Sequence, residues 1–169
     1  MKFFSGFCFR DEQKLFDDYL KYSDFCVAGF SYGAIKAFEY ASTCRDRIDK
    51  LQLFSPAFFQ DKSDKFKRLQ TISFAKNQER YIENFVAQVR YPSSKELQSY
   101  LCQGSLDELG ELLDYRWTQE KLEKLVEKNV NIEVYLGERD KIINSNTAQE
   151  FFSSYADVYF IKGVGHLLI

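Results

Sequence analysis

The chain alternates short apolar runs with longer segments in which apolar residues recur every three or four positions. Five short runs favour β-strands: Lys2–Phe4, Asp24–Ala28, Leu51–Phe54, Asn131–Leu136 and Asp157–Ile161. Helical spacing follows three of them, at Asp11–Lys21, Ala34–Ala41 and Ser145–Tyr155. Strands that alternate with helices favour an α/β architecture, so we expect about five mostly parallel strands joined by right-handed crossovers.

Residues 59–128 have a different pattern, with helical spacing and no convincing strand. Five helical stretches are predicted here: Ser63–Ile72, Gln78–Val89, Lys95–Leu101, Leu106–Tyr115 and Gln119–Glu127. Ser105 and Glu108 have the spacing of a capping box ahead of the fourth stretch. We therefore interpret 59–128 as a helical cap inserted after the third strand, and 1–58 with 129–169 as the core.

The second strand runs into Gly29-Phe30-Ser31-Tyr32-Gly33, and a helix follows at once. A strand, the pattern Gly-x-Ser-x-Gly and a helix resemble the nucleophile elbow of the α/β-hydrolases. Gly29 and Gly33 have no Cβ, so strand and helix can approach each other on both sides of a strained serine. The pattern predicts that Ser31 projects above the sheet edge as a nucleophile, near the positive end of the helix.

Two further residues follow later strands in the order that such hydrolases use. Asp140 lies just past the fourth strand, and His166, the only histidine, lies in the loop after the fifth. Because the carboxyl ends of parallel strands meet at one edge, Ser31, Asp140 and His166 are predicted to form a catalytic triad. In those roles His166 takes the serine proton, and Asp140 fixes the histidine tautomer.

Glu138 and Asp157 are the alternative acids for this triad. Glu138 still lies on the exit of the fourth strand, and Asp157 begins a strand at the opposite end of the sheet. Both are therefore better explained as solvated carboxylates, and Asp140 remains the predicted acid.

An oxyanion hole needs two donors beside the nucleophile. One is predicted to be the backbone N–H of Tyr32, directly after Ser31. The other should come from the loop after the first strand, Ser5-Gly6-Phe7-Cys8, and we assign it to the N–H of Phe7.

Composition narrows the classes of function. The 169 residues are enough for one domain, and a net charge of −2 offers no basic field for nucleic acid. The four cysteines include no C-x-x-C pair, which indicates free thiols in a reducing compartment. No stretch is long enough to span a membrane, and with the free thiols this favours a cytoplasmic protein. We expect neither a cofactor nor a metal. Aromatic residues reach 17%, and part of that excess is available to line an apolar pocket.

Segments throughout the chain are similar to one branch of the α/β-hydrolases. They are Phe3-Phe4-Ser5-Gly6-Phe7, the elbow with Ala34-Ile35-Lys36-Ala37, Leu53-Phe54-Ser55-Pro56, Phe66-Lys67-Arg68-Leu69-Gln70, Gly104-Ser105-Leu106, Leu112-Leu113-Asp114-Tyr115 and His166-Leu167-Leu168. On these segments the chain resembles the small BioV-type pimeloyl-acyl carrier protein methyl ester esterases.

The resemblance implies a minimal α/β-hydrolase fold and a specific reaction. It implies a serine carboxylesterase that hydrolyses the methyl ester of pimeloyl-acyl carrier protein in biotin biosynthesis, through an acyl-enzyme intermediate. A thioesterase or a small-ester carboxylesterase of the same fold is the alternative. A binding protein that kept the fold without catalysis is a second class.

The implied partner is an acyl carrier protein that bears the methyl-pimeloyl chain. Such carriers are acidic, and the first part of the cap holds more bases than acids. We assign carrier binding to Lys65, Arg68, Arg80 and Arg90, among which the arginines can hold a phosphate or carboxylate with two bonds. Ordinary solvated charges on exposed helices are the alternative explanation.

Overall fold

All five predicted strands form, and they lie side by side in the order in which they occur in the chain. The computed structural model describes residues 1–169 and contains β1 (Lys2–Phe4), β2 (Cys26–Phe30), β3 (Lys50–Phe54), β4 (Asn131–Gly137) and β5 (Asp157–Ile161). Every neighbouring pair of strands is parallel. The sheet is therefore wholly parallel, and the carboxyl ends of its strands form one edge.

The chain forms six α-helices: α1 (Tyr32–Thr43), α2 (Asp64–Lys76), α3 (Gln78–Arg90), α4 (Leu106–Asp114), α5 (Gln119–Glu127) and α6 (Ser145–Phe152). Between β3 and β4, α2 packs on α3 and α4, whereas α5 packs on α1. The capping box is confirmed, because Ser105 and Glu108 each accept the other's backbone N–H. The division into core and cap stays a prediction. No helix has the length and apolarity needed to cross a bilayer.

The two faces of the sheet bury different cores because side chains alternate along each strand. One face packs under α1, α5 and α6 and includes Val27, Leu51, Leu53, Ile132 and Val134. The other face packs against Phe16, Leu20 and Leu167 and includes Ala28, Phe30, Phe54 and Tyr135. β2 is buried along its whole length, as expected of an inner strand in a parallel sheet.

The connection from β1 to β2 crosses the face of the sheet opposite to α1. Phe16 in this connection stacks on Phe54 and packs on Phe30, whereas α1 covers the face of Val27 and Leu51. The β1–β2 and β2–β3 connections step across the sheet in the same direction, so they have opposite hands. The prediction of uniformly right-handed crossovers is therefore wrong for one connection.

The helix predicted for Asp11–Lys21 is reduced to a 3-10 helix over Glu12–Phe16. A side chain from β3 satisfies the backbone groups that a longer helix would have used. Gln52 accepts the N–H of Lys21 at 2.8 Å and donates to the carbonyl of Tyr19 at 3.0 Å. The prediction is wrong in extent because a distant residue competes for the same backbone.

The helix predicted for Lys95–Leu101 is likewise reduced to a 3-10 helix over Gln98–Tyr100. Leu101 instead forms an antiparallel bridge with Phe9, in the loop after β1. The N–H of Cys102 extends this bridge by donating to a carbonyl of the same loop at 3.0 Å. This prediction is wrong for the same reason, since the chain pairs with a remote segment.

Candidate active site

Ser31 lies at the turn between β2 and α1 in a backbone conformation that few residues adopt. Its φ is 53° and its ψ is −114°, and a positive φ is strained for any residue with a Cβ. Neighbouring backbone holds this peptide in place. The N–H of Ser31 donates to Phe54, and its carbonyl accepts from Ala34 and Ala57, at 2.9 to 3.1 Å. The side chain is 4% exposed, so a buried, strained serine stands at the sheet edge.

Two glycines allow three backbone segments to meet beside Ser31. A Cβ on Gly29 would lie 2.2 Å from the carbonyl oxygen of Gly33. A Cβ on Gly33 would lie 1.9 Å from the carbonyl oxygen of Phe4. No side chain fits in either place, which explains why the elbow needs glycine on both sides of the serine.

His166 and Asp140 extend from Ser31 in a line of hydrogen bonds. Nε2 of His166 is 3.0 Å from Oγ of Ser31, and Nδ1 is 2.6 Å from Oδ2 of Asp140. The side chains of His166 and Asp140 are both 0% exposed. Oδ1 of Asp140 accepts the N–H groups of Ile142 and Ile143 at 2.7 and 3.1 Å. Because Asp140 accepts at both oxygens, the proton of neutral His166 belongs on Nδ1, and Nε2 is free to accept one.

The loops that carry Asp140 and His166 are packed directly on each other. A Cβ on Gly137 would lie 2.2 Å from the carbonyl oxygen of Gly165. The N–H of Arg139 also donates to the carbonyl of Val164 at 2.8 Å. The exits of β4 and β5 are thus fixed relative to each other by backbone contacts.

The alternative acids lie elsewhere. Glu138 accepts the N–H of Gly163 at 2.9 Å on the surface. Asp157 accepts from the side chain of Asn131 at 3.1 Å, at the start of β5. Neither of these carboxylates bonds to His166.

The two backbone N–H groups predicted to form an oxyanion hole have no acceptor in the protein. Tyr32 begins α1, so its N–H has no helical partner. The N–H of Phe7 likewise donates to no protein group. Phe7 lies in a tight turn in which the N–H of Phe9 donates to the carbonyl of Gly6 at 3.1 Å. Free N–H donors of this kind are what an oxyanion hole requires.

Sequence reasoning missed a residue that anchors this turn. Glu12 is 0% exposed, and its Oε1 accepts the N–H of Gly6 at 2.7 Å. Burial raises the pKa of Glu12, and hydrogen bonds from the backbone of Gly6 and Glu12 and from the side chain of Ser5 oppose that rise. Nothing in the sequence distinguishes Glu12 from the other acids of the predicted first helix.

A cavity of about 520 Å³ lies beside these residues, lined by Phe7, by α2, α3 and α4, and by Asp140 with the residues after it. Its aromatic wall consists of Phe7, Phe59, Phe66, Tyr81 and Phe85. Part of the aromatic excess does line a pocket, but 8 of its 18 lining residues are polar or charged, so the expectation of an apolar pocket is met only in part. Asp140 is part of the wall, whereas Ser31 and His166 are nearly fully buried and are not.

One hydrogen bond and one ion pair tie α1 to α4. The hydroxyl of Tyr32 donates to Glu111, and Nζ of Lys36 is 3.7 Å from Oε1 of Glu108. Burial, followed by the bond to Glu111, raises the pKa of Tyr32. Because Tyr32 directly follows Ser31, this contact connects α4 to the elbow. The sequence contained no signal for the pairing.

The residues assigned to carrier binding lie on α2 and α3. Lys65, Arg68 and Arg80 are exposed, whereas Arg90 is half-buried, with Nη1 3.7 Å from Oε1 of Glu96. Their role in binding stays a prediction.

Comparison with known proteins identifies the fold. No family model matches the sequence, and no curated protein sequence matches it at a significant level. BioG from Haemophilus influenzae matches with 12% identity and a TM-score of 0.58, over 98% of this chain and 87% of that chain. MenH from S. aureus matches with 15% identity and a TM-score of 0.60, over 97% and 85%. Naproxen esterase (carboxylesterase NP) from Bacillus subtilis matches with 20% identity and a TM-score of 0.53, over 85% and 53%.

The parallel sheet and these neighbours define the class: the chain has the α/β-hydrolase fold. It spans about half of the length of two Bacillus subtilis structures that it matches.

Proposed function

We propose that the protein is a serine carboxylesterase in which Ser31 is the nucleophile, His166 the base and Asp140 the residue that orients the base. The observation that carries this proposal is the unbroken line from Oγ of Ser31 through His166 to Asp140, with steps of 3.0 and 2.6 Å. The strained elbow supports it, because strained backbone conformations cluster at functional sites. Carboxylesterases among the structural neighbours support the same class.

The geometry leads to a two-step reaction. Oγ of Ser31 attacks the ester carbonyl while Nε2 of His166 takes its proton, and Asp140 stabilises the imidazolium. The N–H groups of Phe7 and Tyr32 bind the oxyanion of the tetrahedral intermediate. His166 then protonates the departing alcohol, which leaves an acyl-enzyme. Water, deprotonated by His166, releases the acid and restores the serine.

The proposed substrate is the methyl ester of pimeloyl-acyl carrier protein, with a role in biotin biosynthesis. This finer assignment rests on the similarity of the chain to BioV-type esterases. The cavity supports it, since aromatic side chains line a space that can hold an apolar acyl chain. The same site could serve a free small ester, and the experiments below separate the two substrates.

The exposed face of α2 supports a carrier protein as partner. Leu69 and Ile72 are 51% and 49% exposed, and Lys65 and Lys76 flank them at helical spacing. Apolar residues between bases suit an acidic partner that also buries apolar surface. We therefore propose that the carrier docks on α2, with Arg68, Arg80 and Arg90 as further contacts.

The reaction is tested by incubating methyl-pimeloyl-acyl carrier protein with the protein and following ester and thioester products separately. Ser31→Ala and His166→Ala should each lower kcat by about 10³ or more, because triad members act as a unit. Ser55→Ala is the matched control, since Ser55 is also a buried serine at a strand exit and its Oγ has no partner. A loss under tenfold in a folded Ser31→Ala variant would refute the proposed nucleophile.

Carrier docking is tested by reversing charge on the cap. Arg68→Glu combined with Arg80→Glu should raise KM for carrier-bound substrate and leave KM for p-nitrophenyl acetate unchanged. Arg45→Glu with Lys124→Glu is the control, because it makes the same charge change at exposed residues outside α2 and α3. Equal effects of the cap pair on both substrates would remove the docking proposal and retain the esterase.

A further inference from the structure

Glu12 is a fully buried acid that the proposed reaction does not use. It lies at the start of the 3-10 helix after the oxyanion loop, and its side chain reaches back to the N–H of Gly6. Hydrogen bonds from the backbone of Gly6 and from the side chain of Ser5 both favour its ionised form. Since the proposed reaction gives this buried carboxyl no role, its bond to the loop is the contact that needs a reason.

The loop geometry provides such a reason. The N–H of Phe7 belongs to the peptide unit that also contains the carbonyl of Gly6, and the two point in opposite directions across a planar group. The N–H of Phe9 holds that carbonyl at 3.1 Å, while Glu12 holds the preceding peptide unit through the N–H of Gly6 at 2.7 Å. Two successive peptide planes are thus fixed, and Glu12 provides the side-chain bond.

The residue type at position 6 makes this support necessary. Glycine has access to more backbone conformations than any other residue, so a loop through Gly6 has little stiffness of its own. Cys8, two residues on, has a φ of 62°, which strains the turn further. Without the carboxylate, the Ser5–Gly6 peptide loses its side-chain bond, and only the bond from Phe9 still orients the plane that contains the N–H of Phe7.

We propose that Glu12 is a positioning residue for the oxyanion hole, which holds the N–H of Phe7 toward the site of the tetrahedral intermediate. The inference rests on the proposed serine esterase, since an oxyanion hole has meaning only for such a reaction. It assigns to Glu12 an effect on the transition state and none on substrate binding.

The experiment measures kcat and KM for p-nitrophenyl acetate and the inhibition constant of a small boronic acid, which forms a tetrahedral adduct with serine. Glu12→Leu should lower kcat by about 10- to 100-fold and raise the inhibition constant of the boronic acid by a similar factor. Its KM should stay within about twofold of the wild-type value. Glu12→Asp keeps the carboxyl group but shortens the side chain by one methylene, which draws its oxygen away from the N–H of Gly6, and should behave in the same way. Glu12→Gln keeps an oxygen for that N–H and should retain kcat within about threefold, although it melts at a lower temperature.

Gln52→Leu is the matched control for a merely structural role. Gln52 is also 0% exposed and also accepts a backbone N–H, that of Lys21 at 2.8 Å, in a different loop. Its loss should lower the melting temperature without changing kcat or boronic acid affinity.

The outcomes separate this inference from the esterase itself. Wild-type turnover that persists in Ser31→Ala would mean that the proposed function fails. Turnover that needs Ser31 but is the same in Glu12→Asp and wild type would overturn only the role of Glu12. If Glu12→Leu does not fold, the Asp variant decides. A loss above tenfold in folded Glu12→Gln would also overturn the inference, because that variant keeps the hydrogen bond.

Discussion

Asp140→Asn alters the proposed triad by a single atom, and the surrounding bonds dictate how the new side chain sits. One oxygen of Asp140 accepts the N–H groups of Ile142 and Ile143, and the other faces Nδ1 of His166. Asparagine must keep its oxygen on the two N–H donors, because its NH₂ group there would meet two further donors. The NH₂ group therefore faces His166 and donates to Nδ1.

That reversal moves the histidine proton to the wrong nitrogen. With Nδ1 accepting, neutral His166 carries its proton on Nε2, which lies 3.0 Å from Oγ of Ser31. His166 can then no longer take the serine proton, and the imidazolium loses its charged neighbour. We expect kcat to fall by about 10⁴, equivalent to about 5.5 kcal/mol of transition-state stabilisation, with little change in KM.

The assay is hydrolysis of p-nitrophenyl acetate, with circular dichroism to confirm that each variant is folded. Glu138→Gln is the control, because it makes the same chemical change in an acid of the same strand exit that bonds to Gly163 instead. The reasoning further requires that Asp140→Asn be no more active than Asp140→Ala, since asparagine enforces the wrong tautomer and alanine does not. A folded Asp140→Asn variant with more than a tenth of wild-type kcat would refute it.

Two further predictions concern stability. Gly33→Ala should destabilise the protein by at least about 2 kcal/mol, because its Cβ would lie 1.9 Å from a backbone carbonyl oxygen. Gly110→Ala should instead stabilise α4 by about 0.5–1 kcal/mol, because its Cβ would have no atom within 4 Å. Thermal unfolding measures both variants, and a change of the same sign in the two would contradict the argument. Burial raises the pKa of Glu133, but hydrogen bonds from Lys50, Tyr135 and Gln52 outweigh it and hold that pKa below its usual value. The stability that these bonds contribute is present above about pH 4.3 and is lost as pH falls through the lowered pKa of Glu133. Glu133→Gln should therefore reduce the free energy of unfolding, measured in urea, by more at pH 7 than at pH 3.

Local patterns predicted the elements whose bonds are local. The elbow follows from five consecutive residues, and the amphipathic stretches that became α2, α3 and α4 carry their own helical hydrogen bonds. The two shortened helices failed because Gln52 and Phe9, far away in sequence, take over their backbone groups or pair with them. The helix propensity of a local segment contains no information about residues far away in sequence that bond to its backbone.

The residues of the candidate site also separate into those with a local sequence signal and those without one. Ser31, Asp140 and His166 could be named because each follows a strand, and parallel strands bring their carboxyl ends together. Glu12 and Glu111 could not be named, because their importance comes from which loop or helix lies against them in three dimensions. From a single sequence, residues that belong to a motif can be predicted, but the residues that support them through tertiary contacts cannot.

The order of the strands also has a consequence for how the protein is made. Because each strand pairs with the next one in the chain, a sheet emerging from the ribosome can grow outward one strand at a time. Ser31 is placed by the strands made early, whereas His166 follows β5 and arrives last. A chain that does not yet extend through β5 would therefore carry the proposed nucleophile without its proposed base. On the proposed mechanism, such a chain would not hydrolyse esters.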